Sequence, residues 1–434
     1  MKVLITPWGN PLVWREVEYT YNLKSKKLKD PSSLIKEVEG IDKVIIVIVD
    51  TLSDEYFCSL KDPSYKDIRT ISRNIVENFC KKELDFTPDK IIVSYGFGEF
   101  NRTKFDGNTM DFYYDVFKEL SFYFCELIQN LNENDDLKVF FDATHGINYT
   151  TILTYNALRE ILEILAYAFN IELKVLNSDP LVGREAGVSK LNINVIEESK
   201  ILPRISIYNS DKKPIEPYFL LSDDEKKKGK VIDDFLKQIE YDKEKILIFL
   251  GSFLFALPVF VLSHMIKSSD LKNMIDEILK KFEENIELKS GSKIKITRNL
   301  EFKENFANLV KAFLVSTILE KFEFQKLCDI PLTQIKKLKK KFFHEKLPVE
   351  SNRIDVEIDK INNLQNLSQN YQLYGFILSK TNRNKIDKRN FFAHAGFEHN
   401  IIVLKEENNQ KYVSIDVCNK EEAGNLIINN LPKI

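Results

Sequence analysis

The sequence predicts an α/β N-terminal domain built on a doubly wound, mostly parallel sheet, then a mainly α-helical C-terminal domain with a small β-hairpin. Three observations predict it. Between residues 2 and 196, short unbroken apolar runs alternate with helix-length segments, the pattern of strands buried on both faces. Residues 197–222 carry Pro203, Pro214 and Pro217 amid mixed charge, which reads as a junction. Beyond it, apolar residues recur at helical spacing. A chain of 434 residues holds two or three domains. The predicted division is 1–197, a linker over 198–222, and 223–434.

In order, residues 2–6 read as a buried strand ending in the turn Thr6-Pro7-Trp8-Gly9-Asn10-Pro11. KVIIVIV (43–49) is the second strand, followed by Asp50-Thr51, and a helix is expected around 66–82. KIIVSY (90–95) is the third, running into Gly96-Phe97-Gly98. A long aromatic-rich helix covers 110–132. Residues 138–141 form the fourth strand, ending in Asp142-Ala143-Thr144-His145-Gly146, with a helix to about Asn170. Residues 171–176 are the fifth strand, and the alternating LNINVI (191–196) reads as an edge strand. In the second half, Ser222-Asp223-Asp224-Glu225 is a capping-type start. Helical periodicity follows at 231–239, 271–282, 304–327, 332–343 and 372–380. Residues 400–404 and 412–415 read as a hairpin across Asn408-Asn409.

Composition narrows the function. Lys+Arg total 63 against 65 Asp+Glu, so no global basic field exists and any nucleic-acid contact is local. The run Lys336–Lys341 is a candidate RNA-contacting face or a solvated helix face. Cys58, Cys80, Cys125, Cys328 and Cys418 are scattered and form no C-x-x-C pair, which argues against a zinc site or a disulfide scaffold and fits a reducing cytoplasm. The N-terminal apolar run is too short for a signal peptide. Ile246–Leu262 falls just short of a bilayer span and contains Gly251, Ser252 and Pro258. It reads as a buried core or interface helix, with no membrane partner.

Parallel sheets bind ligands beyond the carboxyl ends of their strands. There the sequence places Trp8, Gly9 and Asn10; Thr51; Gly96, Gly98, Asn101, Arg102, Thr103 and Lys104; Thr144, His145, Gly146 and Asn148; and the loop 178–187 with Arg184. Backbone N–H groups, hydroxyls, amides and cations suit phosphates, and a flat ring suits a base. Neither G-x-G-x-x-G nor G-K-[ST] occurs, so a nucleotide-like ligand of another kind is expected.

Near the C-terminus, Arg389 and His394 stand five residues apart in a helical segment, about 140° apart around its axis. Asn390 lies one turn before His394. Arginine binds phosphate oxygens through its planar fork, and histidine moves a proton near neutral pH. The same spacing also describes a surface arginine and a half-buried structural histidine. Phe391 and Phe392 are expected to face the core, Gly396 to stop the helix, and Glu398 and His399 to follow it.

Two stretches together carry a family resemblance. Asp142-Ala143-Thr144-His145-Gly146-Ile147-Asn148 resembles the D-x-T-H-G-x-N signature of CARF domains, Rossmann-like sensors of type III CRISPR accessory proteins. Arg389–His394, followed by Ala395-Gly396-Phe397-Glu398, resembles the R-x4-6-H motif of HEPN ribonucleases. The order, sensor first and helical nuclease last, is that of the CARF–HEPN effectors. The resemblance implies that two subunits bind a cyclic oligoadenylate, often the tetra-adenylate, across a two-fold axis. Paired HEPN domains then cut single-stranded RNA without a metal or other cofactor. Carried over by motif, Arg389 and His394 are the catalytic pair, with Asn390 in support. Thr144, His145, Gly146 and Asn148 form the ligand loop, while Trp8, Gly9 and Asn10 join it by position after the first strand. The chemistry agrees: RNA supplies its own 2′-hydroxyl nucleophile, and a homodimer, or a higher oligomer of dimers, brings two Arg–His pairs to one cleft. Two other readings remain open. One is a non-catalytic nucleotide-sensing regulator whose helices bind a partner or DNA. The other adds slow cleavage of the activator in the sensor site, with His145 and Lys104 taking part.

Overall fold

The run Lys43–Val49 alternates between two buried faces. Ile45, Val47 and Val49 enter one core with Val3 and Ile5, while Val44, Ile46 and Ile48 enter a second with Leu4. A strand apolar on both faces must lie inside a covered sheet. In the computed structural model, which describes residues 1–57, 64–84, 86–132, 135–181, 190–218, 241–378 and 386–433, it does. Five parallel strands stand in the order 170–178, 136–142, 2–7, 43–49, 90–94. Helices Thr109–Gln129 and Tyr149–Leu165 cover the first core; Ser32–Glu39 and Tyr65–Phe79 cover the second. The predicted doubly wound, mostly parallel sheet is therefore present.

The edge differs from expectation. Lys190–Lys200 is an interior strand, antiparallel to 170–178 and paired through its first residues with Val17–Tyr21. That strand forms a hairpin with Lys24–Leu28, which is the true edge. The sequence KSKKL at 24–28 gives no apolar signal, and its charged side chains suit an exposed edge.

The apolar run at 246–262 is two helices, Lys243–Leu254 and Pro258–His264, broken at Ala256 with φ 50° and restarted by Pro258. Among the described residues no helix is long and apolar enough to cross a membrane. Helix Glu304–Lys321 is buried on all sides from Asn305 to Leu319. It packs against 109–129 and 149–165 of the first half and against 243–254 and 268–284 of the second. One continuous core thus joins the halves. Lys311, buried in that helix, pairs with Glu160 at 2.8 Å and donates to the Ser206 carbonyl.

Strands cross between the halves as well. Ile294–Arg298 pairs in parallel with Thr103–Asp106, and Ile215–Pro217 pairs with Leu300–Phe302. The hairpin of the second half spans 402–407 and 410–415, turning at Asn408 and Asn409, both at positive φ. The helix expected over 372–380 begins instead as a short strand, 372–373, with one helical turn at 374–377. The helix expected at 231–239, the cap at 222–225, Cys58, Arg184 and residues 379–380 lie outside the described residues.

Candidate functional site

At the carboxyl edge of the sheet the loops enclose a cavity of about 640 Å³. Of the expected ligand residues, Gly9, Asn10 and Thr51 line it, joined by Tyr56, Phe100 and Lys293. Trp8 does not reach it. The indole is buried, packed edge-on against Trp14 and Phe79, so it supports the loop and offers no face to a base. Thr103 is also internal, its hydroxyl donating to Asp54 Oδ1 at 2.5 Å. The Arg102 amide donates to the same oxygen, and Lys104 pairs with Asp106 outside the cavity.

The loop after strand 136–142 is held from below. Buried Asp142 accepts from the Thr144 amide and hydroxyl at 3.1 and 2.6 Å, and Thr144 Oγ1 accepts from the Ser178 amide. His145 stacks on Trp14 with ring centroids 4.0 Å apart, and its Nε2 meets the Tyr19 hydroxyl at 3.1 Å. Burial lowers the pKa of this imidazole against the pull of Asp142. Its carbonyl accepts from Gly9 N at 2.9 Å, which ties two loops together. Gly146 is required by packing, since a Cβ there would sit 1.8 Å from Thr151 Oγ1. Asn148 takes φ 44° at the start of helix 149–165. Within this loop Ile147 faces the 640 Å³ cavity, whereas Thr144 and His145 line a neighbouring one of about 530 Å³. The predicted ligand residues therefore divide into cavity walls and loop supports.

Two basic residues of the second half enter this region on the strand pair 286–298. Lys293 lines the cavity and donates to Glu99 Oε1 at 2.9 Å and to the Phe100 carbonyl at 2.6 Å. Arg298 is fully buried and donates to Asp50 Oδ2 and to the Gly96 carbonyl, each at 2.6 Å. Asp50 also accepts from the Gly96 amide and the Tyr65 hydroxyl. Burial alone would push the Arg298 guanidinium toward neutrality, and Asp50, Tyr65 and Asp111 together outweigh it.

The Arg–His motif occupies a short helix, Lys388–Ala393, capped by Asp387, whose Oδ1 accepts from the Asn390 amide. It ends at Ala393 with His394 as its C-cap, two residues before Gly396. Ala395 and Gly396 both take positive φ, and the Gly396 amide closes back on the Phe391 carbonyl. Phe391 is buried edge-on against Phe260; Phe392 is half-buried against Phe255. Arg389 is exposed, while Asn390 and His394 are half-buried. His394 Nδ1 lies 2.8 Å from Oε1 of Glu357, a carboxylate 3% exposed on helix Pro348–Asn362. Lys360 contacts the same oxygen at 2.7 Å. Arg353, from that helix, donates to the Phe392 carbonyl and holds the motif helix in place. A proton on Nδ1 toward Glu357 leaves Nε2 as the reactive nitrogen. Glu398 and His399 pair with each other at 3.1 Å, Glu398 being buried.

Glu357, Arg353, Lys293 and Arg298 were not evident from the sequence. They are far from either motif along the chain, and no local pattern marks them. Among the described residues no three His, Cys, Asp or Glu side chains gather as a metal site.

Residues 3–180 match the family described as CRISPR system endoribonuclease Csx1, CARF domain, and residues 347–418 match its HEPN domain. A CRISPR system endoribonuclease Csx1 from Methanocaldococcus jannaschii is 33% identical over 435 residues, covering 96% of this chain and 87% of that protein.

Proposed function

The chain belongs to the Csx1 family of CRISPR system endoribonucleases, and we propose that a cyclic oligoadenylate, first of all the tetra-adenylate, activates its metal-independent cleavage of single-stranded RNA. An endoribonuclease replaces the non-catalytic regulator as a reading. Placing it in type III antiviral defence is part of the same proposal.

One observation carries the mechanism: the half-exposed His394 imidazole held at Nδ1 by the buried Glu357. That contact fixes the tautomer and aims Nε2 outward, as the orienting acid does in other histidine-centred sites. Nε2 takes the proton of an RNA 2′-hydroxyl, whose oxygen attacks the adjacent phosphorus. The bond to the 5′-oxygen breaks, and that oxygen must receive a proton. The products are a 2′,3′-cyclic phosphate and a 5′-hydroxyl. Arg389, exposed on the same short helix, supplies charge to the phosphate oxygens as the phosphorane develops. Asn390 is on the same short helix and assists. One Arg–His pair serves base and acid poorly, so a homodimer in which the partner subunit's His394 acts as acid is part of the reading.

The activator is assigned to the 640 Å³ cavity, with Gly9, Asn10, Thr51 and Ile147 in its wall. Lys293 there and Arg298 on the adjacent core connect that wall to the second half, the physical link a switch requires. Activator cleavage by His145 and Lys104 gains no support, because neither lines this cavity. The test is labelled RNA incubated with the protein, with and without cyclic adenylates of several ring sizes, in the presence of EDTA. Cleavage that appears only with a cyclic adenylate, and survives EDTA, is expected. RNA left intact under every condition overturns the reading.

A further inference from the structure

The lysine run is absorbed by neither site. Helix Leu332–Phe342 buries Leu332, Ile335, Leu338 and Phe342, which turns Lys337, Lys340 and Lys341 to its other side. There they meet Lys321, from the end of helix 304–321, and Lys346 around a cleft of about 590 Å³. Asn170 forms the far wall, at the start of strand 170–178 and so at the opposite end of the parallel sheet from the activator cavity. Two stretches of chain, 321–324 and 337–346, thus bring five lysines to one cleft, against two glutamates, Glu323 and Glu345. Glu323 pairs with Lys337 at 3.2 Å but is largely in solvent, where such a pair compensates little.

The positive charges are close enough to feel one another. Burial, then repulsion from Lys341, pulls the Lys321 ammonium below the usual lysine range. Burial, then Lys200, does the same to Lys346, with Lys341 adding to it. Lys341 also sits 3.8 Å over the Phe322 ring. Crowding like charges in a cleft is unfavourable for the fold by itself, and an anion bound there relieves it.

We propose that this cleft binds the phosphodiester backbone of the single-stranded RNA substrate, away from the Arg389–His394 helix; the inference rests on the endoribonuclease reading above. Lysine ammoniums are point charges that hold phosphates without reading bases. Phe322 and Phe324 are buried, so they offer no open face for a base. The cleft therefore adds affinity, and sequence preference arises elsewhere.

The test uses the full chain and a fluorescent 2′-O-methyl RNA, which lacks the nucleophile and cannot be cut. The double variant Lys337→Glu/Lys340→Glu changes two exposed residues. The control is Lys26→Glu/Lys27→Glu, an equal charge change on the exposed edge hairpin. The cleft variant should bind RNA about tenfold more weakly, with the slope of log affinity against log salt reduced by about 1.4. With cleavable RNA its KM should rise while kcat holds. Unchanged RNA binding, or an equal loss in the control, overturns the proposal; unchanged binding would leave the cleft to an acidic protein partner. If the wild-type chain cuts no RNA under any activator, the endoribonuclease reading fails. The binding comparison then still judges the cleft by itself.

Discussion

Arg298 Nη2 lies 2.6 Å from Asp50 Oδ2, with both side chains at most 1% exposed. The pair joins a strand of the second half to the carboxyl end of a central strand of the first. Arg298 also donates to the Gly96 carbonyl, and its guanidinium lies 5.1 Å from the Tyr95 ring centroid. Removing one partner of a buried ion pair strands the other charge. Arg298→Ala should lower stability by about 3–5 kcal/mol in urea unfolding. Arg298→Lys should recover only part, because one ammonium cannot reproduce both contacts of the fork.

Arg389→Ala and His394→Ala should each reduce activated RNA cleavage by on the order of 10²-fold or more. Arg389 is exposed, so its replacement should leave the melting temperature within error, whereas His394→Ala takes a partner from buried Glu357 and should lower it modestly; activator affinity should hold in both. Cleavage rates in gel assays, beside calorimetric binding, check both halves of the expectation.

Glu357→Gln keeps the shape of the side chain and removes its charge. The His394 imidazole then loses the partner that fixes its tautomer. The expected result is a fall in kcat on the order of 10²-fold with KM little changed, and a displaced pH–rate profile. A Glu357→Asp variant should retain more activity than Glu357→Gln. Equal activity of Glu357→Gln and wild type would remove Glu357 from the mechanism.

Gly146→Ala places a methyl group against Thr151 Oγ1, so Thr151 must turn its hydroxyl away, and the new methyl still presses on Thr151 Cβ and Pro7. Ile147, the next residue, lines the 640 Å³ cavity proposed for the activator. Activator binding should weaken by roughly tenfold, about 1.4 kcal/mol. Gly146→Ala/Thr151→Ala should recover part of it, by titration calorimetry with cyclic tetra-adenylate.

Asp30 and Asp142 are fully buried beneath the same loop. Burial raises both carboxyls to about 6, and Asp30 pushes Asp142 further in that direction. The folded state therefore holds these protons more tightly than the unfolded chain, where a carboxyl titrates near ~3.9. Their contribution to stability is fully present below that range and is lost as pH rises through about 6. Asp142→Asn should flatten the pH dependence between about 4 and 6 and raise stability at neutral pH. Thermal melts across a pH series read both effects.

The five central strands were legible because burial on both faces demands unbroken apolar runs. Both motifs were legible because each lies within a few residues. What stayed hidden was made by distant pairing. Strand 24–28 is polar because it is an edge; 294–298 finds its register on residues 103–106, and 286–289 in turn on 294–298. Trp8 follows the first strand as expected, yet packing between Trp14 and Phe79 decides that it turns inward. Glu357 becomes meaningful only when helix 348–362 crosses behind His394.

The parallel pairing of Ile294 with Thr103 also orders events during synthesis. A chain emerging from the ribosome has made the whole central sheet well before residue 294 appears. Until then strand 103–106 keeps an open side and Asp50 lacks its cation. The central sheet is then formed first, while the small four-stranded sheet that holds 103–106 is completed only when residues 286–298 of the second half have been translated. The connection proposed to carry activation is thus also the contact that completes this small sheet.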